Sequence, residues 1–188
     1  KSVGIPVHVT GIDIRPQSLK VNTEIAQKLG ITKSIEFRAE AISKNSVKKS
    51  DIAIALHACD TATDDAIRFG LQKQAKFMVL VPCCQAEVAE VLRKHKNESF
   101  GKTPLSEIWR HPIHTREFGS QITNVLRCLQ LEAHGYQVTV TELVGWEHSM
   151  KNELIIARYK NSPRKNAEVR LQQILETLNL EELRERFA

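Results

Sequence analysis

Two short stretches carry side chains able to do chemistry together: Leu56-His57-Ala58-Cys59-Asp60 and Pro82-Cys83-Cys84-Gln85. An imidazole, several thiols and a carboxylate suit proton transfer, nucleophilic attack or the holding of a cationic ligand. Each stretch follows a short apolar run, Ile52 to Leu56 and Phe77 to Val81. Such runs fit neighbouring strands of a parallel sheet covered on both faces. In open parallel sheets, ligands bind beyond the carboxyl ends of the strands. Two strands that both end in reactive residues therefore predict one shared site. Between them, Thr61 or Thr63 can cap a helix, with Asp64 and Asp65 in its first turn facing the positive end of its dipole.

The elements that must hold this pair alternate along the chain. Val7 to Asp13 reads as a strand ending on an acid, and Pro16 opens a helix with Val21, Ile25 and Leu29 on one face and Gly30 as its stop. Ser34 to Ile42 alternates apolar and polar residues, as a half-exposed strand at a sheet edge does. After Gln85, Val88, Val91 and Leu92 give a helix its buried stripe. An irregular stretch from Asn97 to His114 leads to a long helix over Thr115 to His134, its apolar face Ile122, Val125, Leu126 and Leu129. Gln137 to Val144 and Leu154 to Tyr159 read as a hairpin-like strand pair, followed by a closing helix bearing Leu171, Ile174, Leu175 and Leu178. Alternating strands and helices predict a parallel α/β sheet with right-handed crossovers and an antiparallel last strand.

Bulk properties set wide bounds. A length of 188 residues, 41% hydrophobic and 26% charged, is ordinary for one globular domain. The net charge of +5 permits an anionic partner. The four cysteines, two of them adjacent, do not form a secreted disulfide framework, and a reducing, cytoplasmic setting is expected. No apolar run is long enough to span a bilayer, and there is no signal-peptide pattern. Because the first residue is Lys1, the chain reads as a processed or cut piece of a longer protein.

The turn Leu56-His57-Ala58-Cys59-Asp60-Thr61-Ala62-Thr63-Asp64 with Pro82-Cys83-Cys84-Gln85 resembles the site turns of a group of class I S-adenosylmethionine-dependent methyltransferases. That group carries "LHxC" after its fourth strand and "CC" after its fifth. The same places are similar to the tRNA ribose 2′-O-methyltransferases with "HLCG-ATD" and "CCH" turns. The resemblance implies a Rossmann-like, mostly parallel sheet over residues 1–160, with 161–188 a C-terminal helical extension. S-adenosylmethionine is the implied methyl donor, and RNA the first guess for the acceptor, through phosphate contacts from scattered Lys and Arg.

The resemblance also implies roles. Asp13 matches the acid that accepts hydrogen bonds from the donor's ribose diol; otherwise it is an exposed acid at a strand end. Glu40, Ala41 and Ile42 match the turn that flanks adenine, although edge exposure alone accounts for Glu40 equally well. His57 to Asp60 match the turn beside the methionine moiety and the incoming nucleophile. There His57 is either a base or a half-buried histidine with its bonds satisfied. Asp60 either orients substrate, binds the donor's ammonium group, or merely precedes a helix. Cys59, Cys83 and Cys84 pack against donor or substrate, with covalent catalysis by Cys83 or Cys84 the alternative. No metal is expected, since the Cys-x-x-Cys knuckle of zinc sites is missing. His114, Arg116, Glu117, Ser120, Gln121 and Asn124, and then Glu147, His148, Lys151 and Asn152, could border the substrate opening.

One departure stands out. The family's glycine-rich donor-binding turn lies roughly 20 residues before the ribose-binding acid, and only twelve residues precede Asp13. The missing first strand would be the central one, between the strands of Asp13 and Ile52. The chain alone is therefore expected to bind the donor poorly. A non-catalytic RNA- or protein-binding module with a degenerate methyltransferase fold is the alternative.

Overall fold

A parallel pair forms where the first two apolar strands meet. In the computed structural model, which describes residues 4–56, 58–83, 85–96, 102–145 and 152–188, β1 (Val9–Asp13) pairs with β2 (Ile35–Ala39), so that Asp13 lies opposite Ala39. Helix α1 (Pro16–Lys28) connects them, with Pro16 in its first turn and Gly30 at φ +67° just past its end. Gly11 is required here: a Cβ would fall 2.5 Å from the Phe37 ring, which crosses β1 at this point. The expected buried face of α1 is corrected. Val21, Ile25 and Leu29 are exposed and only Ala26 is buried, because α1 rests on a sheet two strands wide.

These elements make up the first of two compact units, Lys1–Val47; the second is Lys48–Ala188. In the second, β3 (Ile52–Leu56), α2 (Thr61–Gln72), β4 (Phe77–Val81), α3 (Glu87–Lys94) and α4 (Pro112–Ala133) precede β5 (Tyr136–Glu142), β6 (Glu153–Tyr159) and α5 (Lys165–Thr177). The sheet order is β3-β4-β6-β5. β4 runs parallel to β3, while β6 is antiparallel to both β4 and β5. The fold is α/β with a mixed sheet, and the last strand runs against β4 as its sequence foretells.

One face of the second unit's sheet is buried from β3 to β6, whereas on the other face only the end of β4, at Val81, is buried. Ala53, Ala55, Met78, Leu80, Ile155 and Ala157 are buried on the first face. Gly70 of α2 lies so close that a Cβ would meet the Met78 sulfur at 2.7 Å. On the other face Ile52, Ile54 and Leu56 are 54%, 64% and 59% exposed, which corrects the expectation of a strand buried on both sides. The physical reason is directional: α2 packs over the alanine face, where Gly70 meets Met78, and is tied to α4 by an ion pair. Short apolar runs do not say how many faces are covered.

Beside α4, a core forms from Val88 and Leu92 of α3, Leu126 and Leu129 of α4, and Leu171, Leu175, Leu178, Leu180, Leu183 and Phe187 from the C-terminal part. The close approach of α3 to α4 depends on Gly119, where a Cβ would sit 2.7–2.8 Å from the Cβ, Cα and N of Ala89. Arg186 clamps the carboxylate of Glu87 through two bonds of 3.1 and 2.9 Å, and the Gln130 amide donates to the carbonyl of Ala188 at 3.0 Å. Among the described residues, no helix is long and apolar enough to cross a membrane.

Candidate functional site

In the first unit, the carboxyl ends of β1 and β2 bring Asp13 and the Glu40–Ile42 turn to the same end of the sheet. A cleft of about 140 Å³ opens beside Asp13, lined by Gly11, Ile12, Leu19, Asn22, Phe37 and Arg38. Asp13 is already engaged. One carboxylate oxygen accepts from the backbone N–H of Arg15 at 2.9 Å and from its Nε at 3.1 Å; the other accepts from the guanidinium at 2.9 Å. The guanidinium bonds, followed by the backbone one, hold the carboxyl well below the usual carboxylate range. Asp13 therefore stays ionised at neutral pH. Its pairing contributes stability above the unfolded carboxylate pKa of about 3.9, and that contribution is lost only as strong acid protonates the folded group.

Glu40 accepts from the N–H of Ser46 at 3.3 Å and lies 4.0 Å from Arg38. Ala41 leads into a single 3₁₀ turn, Ile42–Lys44.

In the second unit, the turns after β3 and β4 meet. The sulfurs of Cys59 and Cys83 are 3.4 Å apart. Asp60 joins the two turns: one of its carboxylate oxygens accepts from the N–H groups of Ala86 at 3.1 Å and Glu87 at 3.4 Å. That carboxylate thus caps the amino end of α3 from another element, where the helix dipole favours negative charge. Its backbone is strained, with φ +51° and ψ −124° in a residue other than glycine. His57 and Cys84 lie outside the described residues, as do Glu147, His148 and Lys151.

The Asp60 turn is held by a residue that the sequence pattern does not single out. Arg127 of α4 is fully buried and grips the Asp64 carboxylate through two bonds of 2.7 and 2.8 Å. The same guanidinium donates to the carbonyl of Asp60 at 3.0 Å and to Asn124 at 3.2 Å. The Gln85 amide donates to Asn124 at 3.0 Å, the Ser120 hydroxyl to Gln85 at 2.7 Å, and the Asn124 amide to Glu153 at 2.8 Å. A continuous polar network therefore runs from one site turn to the other beneath the sheet's carboxyl edge.

Several expectations are refined by this arrangement. Ser120 and Asn124 do reach the Cys83–Gln85 turn, as structural supports. His114, Arg116 and Gln121 are exposed on α4, Arg116 pairing with its neighbour Glu117, and Asn152 is buried and donates to the carbonyl of Val144 at 2.6 Å. Neither Thr61 nor Thr63 caps α2; the Thr63 hydroxyl instead donates back to the carbonyl of Ala58. Asp64 lies in the first turn of α2 as expected, and there it is buried against Arg127.

The cap predicts a measurable split. Asp60→Ala is expected to lower stability by about 1 kcal/mol in a urea titration, the value of a lost side-chain cap. Asp60→Asn retains an acceptor and tolerates positive φ, so it is expected to keep most of that stability. Equal losses in the two variants would rule the cap out.

Among known proteins, the chain is 28% identical over 134 residues to a glutathione S-transferase C-terminal domain-containing protein homolog from Drosophila pseudoobscura pseudoobscura. That match takes in 60% of this chain and 23% of the relative, so the chain spans under a quarter of that protein's length. Among solved structures it is similar to the 23S rRNA methyltransferase ErmE, with TM-score 0.44 and 12% identity over 92% of this chain and 60% of that one. It is also similar to the N-methyltransferase NodS from Bradyrhizobium japonicum WM9, with TM-score 0.40 and 15% identity over 82% and 74%. One protein family's model matches the chain directly: it is described as a methyltransferase domain and spans residues 1–91, from the segment before β1 into α3.

Proposed function

We propose that the protein is an S-adenosylmethionine-dependent methyltransferase with RNA as the first acceptor to test. The observation that carries this reading is the meeting of the turns after β3 and β4, at Cys59, Asp60 and Cys83, inside the stretch matched by the methyltransferase-domain model. The basic balance of the chain supports an anionic acceptor.

In this reading the donor, when bound, supplies a methyl group on a positively charged sulfur. Asp13 accepts the ribose hydroxyls, and Glu40, Ala41 and Ile42 flank the adenine. His57 and Asp60 serve the methionine end and the incoming nucleophile, while Cys59, Cys83 and Cys84 pack beside them. The residues fit with one cost. A carboxylate has about four acceptor positions, and Arg15 occupies three of those of Asp13. A diol that takes two must draw Arg15 away from at least one oxygen.

That competition gives a quantitative expectation. Arg15→Ala removes the exposed ion pair with Asp13 and frees two of the acceptor positions that the donor needs. Donor affinity of the full-length protein should then rise about two- to fivefold. A fall in affinity, read by calorimetric titration, would remove Asp13 from the donor site.

A second reading has its own support. Both carboxylates assigned to the donor, Asp13 and Asp60, are engaged internally, as a non-catalytic module that has lost donor binding would allow. Incubating the full-length protein with methyl-labelled donor and separate RNA, protein and small-molecule fractions distinguishes the two. Label in RNA is the expected result; label in another fraction changes the acceptor; absence of donor binding by the full-length protein selects the module.

A further inference from the structure

We propose that Cys59 and Cys83 form a reversible redox pair, closing to a disulfide under hydroperoxide and reopening under thiol reductants. The bond rests on geometry alone; its control of the donor site rests on the methyltransferase reading above. The two sulfurs stand 3.4 Å apart. A disulfide needs about 2.05 Å, so each turn moves by well under an ångström. The two turns leave neighbouring parallel strands, β3 and β4. Asp60 and the Arg127 network already hold the turns together, so little chain freedom is lost on closing.

The exposures assign the order of events. Cys59 is exposed and Cys83 half-buried. The Cys59 sulfur attacks the terminal oxygen of the hydroperoxide, the O–O bond breaks, and a sulfenic acid and an alcohol (water, from hydrogen peroxide) result. The Cys83 sulfur then attacks the sulfenic sulfur. The S–S bond forms, and the departing hydroxide leaves as water with the Cys83 proton. Two thiols are oxidised, one peroxide is reduced, and the atoms balance. Cys128 serves as an internal control, since burial pushes its thiol up to about 12 and leaves it unreactive.

The test uses the chain as it stands, treated with hydrogen peroxide, alkylated without reduction, digested and mapped by mass spectrometry. The expected product links Cys59 to Cys83, with loss of two of the four thiols and full recovery after dithiothreitol. Cys59→Ser and Cys83→Ser should each abolish the link. Cys84→Ser and Cys128→Ser, separately or together, should leave it, which keeps the assignment testable if either of the first two variants folds poorly. Sulfinic acid at Cys59 with no link, a link that uses Cys84, or a link between chains would each overturn the proposal. In the full-length protein, donor titration before and after peroxide reads the consequence. Binding by the reduced form that is lost on oxidation and restored by reductant supports control of the site, and equal binding by both forms overturns it. Absence of binding by the reduced form counts against the methyltransferase reading and leaves the mapped disulfide untouched.

Discussion

Arg127→Ala is expected to lower the stability of the second unit by about 3–5 kcal/mol, the usual loss when a buried pair is broken from one side. The carboxylate of Asp64 would be left buried without its two bonds, and the carbonyl of Asp60 without its donor. In a domain of this size the loss corresponds to a fall in melting temperature on the order of 10 °C. A companion variant tells attraction from abandonment. In Asp64→Leu with Arg127→Met, both charges are gone, and a buried pair replaced by apolar groups is often neutral. The double variant should therefore recover most of the loss, though not all of it, because Asp60 and Asn124 still lose a partner. Thermal unfolding of the two variants beside the unaltered chain decides the matter, and a double variant no better than Arg127→Ala would mean that the bonds to Asp60 and Asn124 dominate.

Leu175→Ala should be nearly as severe, at about 2–5 kcal/mol. Leu175 is fully buried on α5, in the core shared with Val88, Leu92, Leu126 and Leu129. Helix α5 and the turns after it supply Leu171, Leu178, Leu180, Leu183 and Phe187 to this core, so truncation of Leu175 leaves a cavity amid packed side chains. Ile174, one residue earlier and only partly buried, should lose clearly less on truncation to alanine. Urea unfolding of the two variants checks the difference. Similar losses at both positions would show that the C-terminal part contributes helix propensity more than packing.

Much of this arrangement can be read in the sequence, and the misses share a cause. The strands, the stripes of α3 and α5, and the meeting of the turns after β3 and β4 at Cys59, Asp60 and Cys83 follow from apolar runs and chain order, since neighbouring parallel strands place their ends together. The buried side of α4 follows from hydrophobicity only in part, since Leu126 and Leu129 are buried as expected and Ile122 packs against them. Val125 is exposed, while Thr123, Asn124 and Arg127 are buried. Ser120, Thr123, Asn124 and Arg127 recur at helical spacing, so the signal was present, but polar residues in that pattern ordinarily mark a wet face. They are buried because they satisfy one another and the two turns. Asp64 does lie in the first turn of α2 as expected, but its burial against Arg127 does not follow from the sequence, since the two are 63 positions apart and no local rule pairs them. Asp13 was recognised as an acid at a strand end, yet its capture by Arg15 two residues on was missed, because the turn that folds Arg15 back is set by backbone geometry.

Gly119 ties helix spacing to chemistry. It lets the backbone of α3 press against α4 near Ala89, and the first N–H groups of α3 are the ones that Asp60 holds. A graded series at this position, from glycine through alanine to valine, would act as a set of shims, each pushing α3 outward by a further fraction of an ångström. The gap between the Cys59 and Cys83 sulfurs would widen in step, so a residue without a side chain becomes the gauge that sets how readily two distant thiols can touch.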